Sequence, residues 1–286
     1  LVIAYYFPPM GLSGVQRTLK FVKYLPLYNW QPTVLTVIPG SYYARDSSLL
    51  KEIEPLGVTI LRTDSIDPTR FFRKGDSGAG KVVKMPRESI RKSLNVISQL
   101  FFVPDNKVGW RRKACRVAAE LLRREKFDLI FATAPPYTDF LIGGYLKKRL
   151  NLPLVLDYRD AWLDNPYHFY FTPIHRWLHR TLEKRVLRAS DKVITINRRI
   201  KELLLKRYPF LQYQVVEIIS QGFDPTDFDL NGIAPHRRGE KMRITYSGTF
   251  IDKRTPKFFL RALSKVFHEQ PGLRHKIEAC FVGYFR

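Results

Sequence analysis

The sequence contains little cysteine and no long apolar run. Its two cysteines, Cys115 and Cys280, lie far apart and match neither the spacing of a metal-binding motif nor a disulfide framework. Such usage is typical of a reducing compartment. No apolar stretch approaches the roughly 18 to 20 residues that a membrane-spanning helix needs. The chain begins with Leu1 inside an apolar run and ends in a strand-like segment, so we expect both ends to be cut.

Acidic residues are scarce relative to basic ones. The chain has 49 Lys and Arg residues against 26 Asp and Glu, which gives a formal net charge of +23. This charge predicts a polyanion, a phosphorylated small molecule or an anionic bilayer as partner. Hydrophobic residues make up 45% of the 286 positions, enough to fill the core of a folded protein and to exclude a disordered tail.

Short β-branched runs alternate with longer stretches of helical periodicity. The predicted strands lie in LVIAYY, TVLTVI, VTILR, DLIFAT, LPLVLDY, DKVITI, VVEII, MRITYS and KIEACFVG. The predicted helices lie in VQRTLKFVKYL, SIRKSLNVISQLFF, RKACRVAAELLRR, TDFLIGGYLKKRL, IHRWLHRTLEKRVLRA, RRIKELLLKRY and PKFFLRALSKVFHEQ. Continuously apolar strands are typical of a parallel sheet that is covered on both faces. The pattern therefore predicts an α/β fold with a doubly wound parallel sheet.

A change in composition divides the chain. Residues 1–222 carry the first strand and helix series, and residues 223–241 contain prolines, glycines and charges without periodicity. This segment has the composition of an interdomain linker. Strand, helix and strand then follow in residues 242–286, which we interpret as the first βαβ unit of a second, truncated domain.

Two places in the first domain carry the residues of a ligand site. Gly11, Ser13 and Gly14 form a turn before a helix, whose free N–H groups suit a phosphate, although a tight connection explains the glycines equally well. Asp157, Arg159 and Asp160 emerge at the C-terminal end of a buried strand, at the edge where open α/β sheets bind ligands. Two carboxylates beside a guanidinium can hold a hydroxyl group or accept its proton, and the alternative is a structural ion pair.

Three other motifs favour structural explanations. The segment from Gly75 to Lys81 matches most of a P-loop, but Val82 replaces the magnesium-binding Ser or Thr, so we interpret it as a basic loop. His175 and His179 have the i, i+4 spacing of zinc ligands without the glutamate of a zinc protease, which favours packing or surface histidines. The two carboxylates of DFD, from Asp227, lie in the predicted linker, and we assign them to that connection.

Several stretches together resemble glycosyltransferase family 4 on a GT-B scaffold. They are YYFPPMGLSGVQRTLKFVKYL, FATAPPYTDFLIG, LPLVLDYRDAWLDNP, SDKVITIN, ISQGFDPTDF and ITYSGTF, in order and over nearly the whole chain. The resemblance implies two Rossmann-like domains, an N-terminal one that serves the acceptor and a C-terminal one that serves a nucleotide-sugar donor. It also implies retention at the anomeric carbon and no required metal or other cofactor.

The resemblance also assigns site residues. The family's glycine turn falls on Gly11 to Gly14, and its strand-end catalytic position falls on Arg159 and Asp160, with Asp157 beside them. Its phosphate-binding turn falls on Gly248, with Lys253 and Arg254 placed to neutralise the leaving diphosphate. The family's donor-gripping glutamate pair falls beyond Arg286, so we expect this chain alone to lack transfer activity.

These observations predict a retaining, hexosyltransferase-type enzyme of cell-envelope or exopolysaccharide synthesis. We expect a nucleotide-sugar donor, a glycan or lipid-linked acceptor, and a cytoplasmic location at the inner face of an anionic membrane. Basic and aromatic residues interleave in NPYHFYFTPIHRWLHRTLEKRVLRA, which suits a bilayer, although a solvated helix face is the alternative. Two other functions stay open: a non-catalytic acceptor-binding module, and a nucleic-acid-binding protein, disfavoured by the lack of a recognition module.

Overall fold

The computed structural model describes residues 1–11, 13–39, 45–66, 98–165, 168–228, 241–248, 250 and 255–283. The chain divides into two compact units, Leu1–Phe223 and Asp224–Arg286. Among the described helices, none combines the length and the apolar composition that crossing a bilayer requires.

A seven-stranded parallel sheet forms the centre of the first unit. Its strands are β1 (Val2–Ile3), β2 (Thr33–Val37), β3 (Thr59–Thr63), β4 (Ile130–Ala134), β5 (Leu154–Tyr158), β6 (Lys192–Thr195) and β7 (Val216–Ile218). They are arranged in the order β3-β2-β1-β4-β5-β6-β7, and every neighbouring pair is parallel. The strand order changes direction between β1 and β4. This is the switch point outside which open α/β sheets bind their ligands.

Helices connect these strands. They are α1 (Ser13–Tyr24), α2 (Ser48–Lys51), α3 (Arg111–Arg124), α4 (Thr138–Leu150), α5 (Pro173–Ala189) and α6 (Arg198–Arg207), with one-turn 3₁₀ helices at Leu25–Tyr28, Glu54–Leu56, Val108–Trp110 and Tyr213–Val215. α5 begins where the Thr172 side chain accepts the His175 amide, and α6 begins with Asn197 in the same role for Ile200. α4 ends at Asn151, which adopts the left-handed conformation that commonly closes a helix.

The core lies on both faces of the sheet because neighbouring residues of a strand point in opposite directions. Along the first strand segment, Leu1, Ile3 and Tyr5 belong to one buried cluster, whereas Val2 and Ala4 belong to the other. The first cluster includes the buried faces of α3 and α4, and the second includes that of α1. Coverage on both faces confirms the predicted doubly wound α/β fold.

The second unit contains two parallel strands, β8 (Met242–Ser247) and β9 (Ile277–Val282), with α7 (Lys257–Glu269) between them in sequence. Short 3₁₀ helices lie at Pro225–Asp227 and Pro271–Leu273. The backbone comes very close where both strands end, since a Cβ atom at Gly283 would lie 1.8 Å from the Gly248 carbonyl oxygen. Residues 229–240 lie outside the described part of the chain, and the predicted linker and domain boundaries stay predictions.

All nine predicted strands are present, and so are the predicted helices except the one in SIRKSLNVISQLFF, most of which lies outside the described residues. The first strand is shorter than LVIAYY indicates, because only Val2 and Ile3 pair with β2 and β4.

Candidate functional site

The candidate site of the first unit lies at the carboxyl ends of β1, β4 and β5, beside the switch point. The glycine turn connects β1 to α1, Pro135 and Pro136 connect β4 to α4, and Arg159 and Asp160 follow β5. Parallel strands end at the same edge, so the fold brings these three segments to one place.

Arg159, which follows β5, forms hydrogen bonds with both of the other segments. Its Nη1 donates a hydrogen bond to the Gly14 carbonyl, and its Nη2 donates to the Pro135 carbonyl. The Arg159 backbone amide also donates to the Ala134 carbonyl at 3.0 Å. The two sequence features predicted to form a site, the glycine turn and the strand-end DYRD, are therefore in direct contact.

The Arg159 guanidinium is largely enclosed by the protein. Burial lowers its pKa, while the carboxylates of Asp157, Asp139 and Asp160 oppose that shift. Its Nε is buried and has no hydrogen-bond partner among the described residues. The guanidinium places a fixed positive charge at the ligand-binding edge of the sheet, where it attracts an anionic oxygen.

Asp157 occupies a different environment from its neighbours in the motif. Its carboxylate is fully buried and accepts hydrogen bonds from Arg17 Nε at 3.1 Å, Arg17 Nη2 at 2.9 Å and Thr133 Oγ1 at 2.8 Å. Arg17 also donates to the carbonyls of Ile219 and Ser220, at 2.9 and 3.1 Å. The Arg17–Asp157 ion pair therefore fastens α1 to β5 and to the segment after β7. Asp157 thus forms a structural ion pair, with Arg17 as its partner, and its ligand-binding role stays a prediction.

Asp160 is exposed, three residues beyond the buried Asp157. Its main-chain carbonyl accepts a 3.4 Å hydrogen bond from the Tyr137 hydroxyl, and Tyr137 stacks on Trp162 with ring centroids 4.5 Å apart. Burial, followed by the charge of Asp160, raises the Tyr137 pKa well above its ordinary value, so the phenol stays protonated. Asp160 is thus held by its backbone next to a packed aromatic pair, with its side chain accessible to a ligand.

Sequence reasoning missed four polar residues that support this edge: Arg17, Thr133, Asp105 and Asp139. Asp105 accepts hydrogen bonds from the Thr138 amide at 3.0 Å and the Thr138 hydroxyl at 2.7 Å, which caps α4 from a distant segment. Asp139 is fully buried and accepts the Tyr5 amide at 2.8 Å. Burial is the main cause that raises the Asp139 pKa well above its usual range. Only a polar pair at the start of a helical pattern, TD before FLIGG, signals Asp139 in the sequence.

The remaining predicted site residues are only partly described. The side chain of Ser13 and all of Lys253 and Arg254 lie outside the described residues, and their roles stay predictions. Gly248 follows β8 with φ 157°, and a Cβ atom there would lie 2.9 Å from the Tyr246 hydroxyl oxygen. Gly283, which no sequence motif indicated, is its close backbone neighbour. At Gly283 the lack of a Cβ atom lets the backbone segments after β8 and β9 approach each other closely.

The other motifs have structural outcomes or lie outside the described chain. Residues 75–81, which resemble a P-loop, and Asp229 belong to the undescribed part. His175 and His179 are buried, their Nε2 atoms are 3.2 Å apart, and Trp162 Nε1 donates to His179 Nδ1 at 3.0 Å. Burial lowers the pKa of His179 to about 3, so it packs as a neutral ring.

The fold and the position of this edge define a doubly wound α/β protein with a candidate ligand site at the switch point. The sequence model described as Glycosyltransferase Family 4 matches residues 74–227, more than half of the chain. The chain belongs to this family. The resemblance noted from the sequence is thereby confirmed.

Several solved structures overlay on the chain at low identity. HepE of Anabaena in complex with UDP-glucose has 12% identity and a TM-score of 0.43, over 99% of this chain and 68% of HepE. A putative UDP-N-acetylglucosamine 2-epimerase from Listeria monocytogenes has 12% identity and a TM-score of 0.42, over 99% of this chain and 62% of the epimerase. The spinosyn rhamnosyltransferase SpnG, complexed with thymidine diphosphate, has 14% identity and a TM-score of 0.39, over 98% and 64%.

The chain spans about two thirds of the length of these three proteins. No curated protein sequence matches it.

Proposed function

We propose that the protein is a retaining glycosyltransferase that moves a sugar from a nucleotide-sugar donor to a glycan or lipid-linked acceptor. One observation carries this proposal beyond family membership. Arg159 is bonded to the Gly14 carbonyl, so the glycine turn and the strand-end motif form one polar surface at the switch point. Asp160 is exposed next to that surface.

The donor's diphosphate is the group that this surface is suited to neutralise. Negative charge grows on the diphosphate as the bond to the anomeric carbon breaks, so a fixed cation stabilises the transition state more than the ground state. In the proposed role, the Arg159 guanidinium and the N–H groups at the start of α1 face the phosphates. By sequence resemblance, Gly248, Lys253 and Arg254 add a second phosphate-binding turn. With these cations, the reaction is proposed to need no metal.

The acceptor hydroxyl is the group that Asp160 is suited to orient. Its oxygen attacks the anomeric carbon on the face that the diphosphate leaves, so configuration is retained. The hydroxyl proton passes to an oxygen of the departing diphosphate, whose growing charge makes it a base. Asp160 in this scheme holds the hydroxyl by a hydrogen bond, and the Arg17–Asp157 ion pair fixes α1 and β5, which carry the two halves of the site.

The proposed setting is cell-envelope or exopolysaccharide synthesis at the cytoplasmic face of the membrane. The net charge of +23 supports it, because both a phosphorylated donor and an anionic leaflet attract a basic protein. A lipid-linked acceptor would be presented at the same leaflet.

A donor screen tests the function. The full-length protein is incubated with UDP-, GDP- and ADP-sugars, and donor hydrolysis and transfer are measured for the wild type, Asp160→Ala and Lys253→Ala. We expect one nucleotide class to be turned over, and both substitutions to lower the rate strongly. Full activity in both variants would remove these residues from the site. Acceptor binding without turnover of any donor would instead identify a non-catalytic acceptor-binding module.

A further inference from the structure

The exposed side of α5 begins with a cluster of large apolar side chains. Ile174 is 70% exposed and Trp177 is 61% exposed, and both lie on the outer face of the helix. The other exposed members are Leu178 on the helix and Phe169 and Phe171 just before it. We call these five residues the apolar tip. Several large apolar side chains that are exposed together indicate a surface that contacts an apolar partner.

The same side of α5 continues with basic residues. Arg180, Lys184 and Arg188 follow one another at i, i+4 spacing, so their side chains are neighbours on the helix surface. We call these three residues the basic row. None of them forms an ion pair within the described part of the chain, and the sole acidic residue of α5, Glu183, is fully buried. Asp164 lies nearby but already binds Arg207 at 2.6 Å.

The basic row disfavours the isolated helix, because like charges four residues apart repel each other. The helix dipole accounts for a cation in the last turn, such as Arg188, but not for Arg180 and Lys184 in earlier turns. An external anion would relieve this repulsion.

A groove runs beside the basic row. It has a volume of about 460 Å³ and is bounded on its other side by the segment after α6. Arg188 lies over the Phe210 ring, with its guanidinium carbon 5.1 Å from the centroid. The described residues that line the groove include no carboxylate. Its walls thus offer cations and aromatic faces, the combination that holds a phosphate attached to an apolar body.

A second basic groove, between α3 and α4, provides a comparison. Its lining has five arginines and one carboxylate, and its volume is about 610 Å³. These residues are Arg111, Arg112, Arg116, Arg123 and Arg149, with Glu120. Among its described lining residues, Tyr145 is the one exposed large apolar side chain, and its hydroxyl accepts a hydrogen bond from Arg149 at 3.1 Å. This groove therefore has positive charge without an apolar tip.

We propose that the outer side of α5 docks on an anionic phospholipid bilayer, with the apolar tip in the interface and a lipid phosphate bound by the basic row in the adjacent groove. Ile174 and Leu178 favour lipid over nucleic acid, because aliphatic side chains enter an acyl boundary but offer no ring for a base to stack on. The inference deepens the proposed function by naming the surface that meets the leaflet carrying a lipid-linked acceptor.

Vesicle co-sedimentation with the full chain tests the proposal. The vesicles contain phosphatidylcholine alone or phosphatidylcholine mixed with phosphatidylglycerol. For the triple variant Arg180→Gln, Lys184→Gln, Arg188→Gln we expect binding to the anionic vesicles to fall on the order of a hundredfold, since each basic residue near such a surface contributes roughly fivefold. For Ile174→Ser with Trp177→Ser we expect a loss of roughly tenfold or more.

The matched control is Arg112→Gln, Arg116→Gln, Arg123→Gln, which removes the same charge from the second groove. It should retain most of the binding, and far-UV circular dichroism should show that each variant stays folded. An equal loss of binding in the control would show that net charge alone explains the effect, and would overturn the proposal. Three other results would also overturn it: equal binding to neutral vesicles, saturation of the basic row by free inorganic phosphate at low concentration, or tight binding of an oligonucleotide that displaces the vesicles.

The measurement is independent of the enzymatic function. Donor hydrolysis in the absence of vesicles should be unchanged in the basic-row variant. Vesicle binding without turnover of any donor would support the docking surface and contradict the proposed transferase activity. Donor turnover without vesicle binding would contradict only the docking surface.

Discussion

Asp157 and Asp160 lie three residues apart in one motif, yet they occupy opposite environments. Asp157 is fully buried, and Arg17 and Thr133 fill its hydrogen-bonding positions. Asp160 is exposed, beside an arginine whose Nε has no partner among the described residues. A saturated, desolvated pair can only hold elements in place, whereas an accessible carboxylate can bind a ligand. The comparison separates a positioning role at Asp157 from the chemical role proposed for Asp160.

The largest expected effect comes from a substitution that breaks the buried Arg17–Asp157 ion pair. Asp157→Asn leaves the Arg17 guanidinium buried without a charged partner, so we expect the free energy of unfolding to fall by about 3 to 5 kcal/mol. Urea unfolding measures it. The control is Asp164→Asn, whose partner Arg207 is partly exposed and which should lose about 1 kcal/mol or less. Equal losses in the two variants would refute the structural role of the buried pair.

Glu183 provides a second test of the comparison. Like Asp157 it is a fully buried carboxyl group, but no arginine forms a paired hydrogen bond with it among the described residues. Its Oε2 accepts a 2.7 Å hydrogen bond from the Tyr208 hydroxyl, and its Oε1 has no partner among the described residues. Burial is the main cause that raises its pKa from 4.5 to about 7. Between these two values the folded protein holds a proton that the unfolded chain releases, so stability falls as the pH rises through this window.

By pH 8, the raised pKa of Glu183 lowers the free energy of unfolding by up to about 3 kcal/mol relative to its value at low pH. We expect Glu183→Gln to remove most of this slope, which urea unfolding at a series of pH values between 5 and 8 would detect. Tyr208→Phe serves as a control, because it removes the hydrogen bond and leaves the titrating group. An unchanged slope in Glu183→Gln would assign the pH dependence to another residue.

Asp160→Asn probes the exposed side of the motif. In the proposed transferase we expect the transfer rate of this variant to fall on the order of a hundredfold, because the amide binds a hydroxyl proton more weakly. The free energy of unfolding should change by less than about 0.5 kcal/mol, since the side chain is exposed. Steady-state kinetics and urea unfolding on the same samples separate the effect on the transfer rate from the effect on stability. A stability loss comparable to that of Asp157→Asn would contradict the division between the two carboxylates.

Gly14→Ala gives the smallest expected effect. It tests whether the glycine turn approaches a ligand or only connects β1 to α1. A Cβ atom at Gly14 would lie 3.5 Å from Arg159 Nη1, an ordinary contact, so the protein itself tolerates a methyl group there. Stability should stay the same or rise by a few tenths to about 1 kcal/mol, because alanine favours the helix. If the diphosphate approaches this backbone, donor affinity should fall by roughly tenfold. Unchanged donor affinity would leave the turn as a connection only.

Local pattern was enough to predict most of the fold. Continuously apolar strands such as LVLDY in β5, alternating with helical stretches such as RKACRVAAELLRR, require a sheet buried on both faces, whatever the order of the strands. The strand-end location of Asp157, Arg159 and Asp160 follows from the same pattern. The shortness of β1 does not, because it depends on how many residues of β2 and β4 lie opposite.

The partners of the charged residues were beyond the reach of local pattern. Arg17 and Asp157 are 140 positions apart, and nothing in VQRTLK marks that arginine as the partner of a buried aspartate. The same holds for Arg159 and Gly14, 145 positions apart, and for the capping of Thr138 by Asp105. Such pairings depend on which strand ends become neighbours at the edge of the sheet.

The sequence by itself determined the fold class, the family and the segments that carry charge, because hydrophobic period and motif order are local properties of the chain. Only the tertiary structure decided that Asp157 is enclosed with Arg17 while Asp160 faces solvent. Burial depends on what packs against a side chain, and the side chains that enclose Asp157 come from α1 and β4, which are distant in sequence. The same reason separates Glu183, buried in α5, from Lys184, exposed next to it.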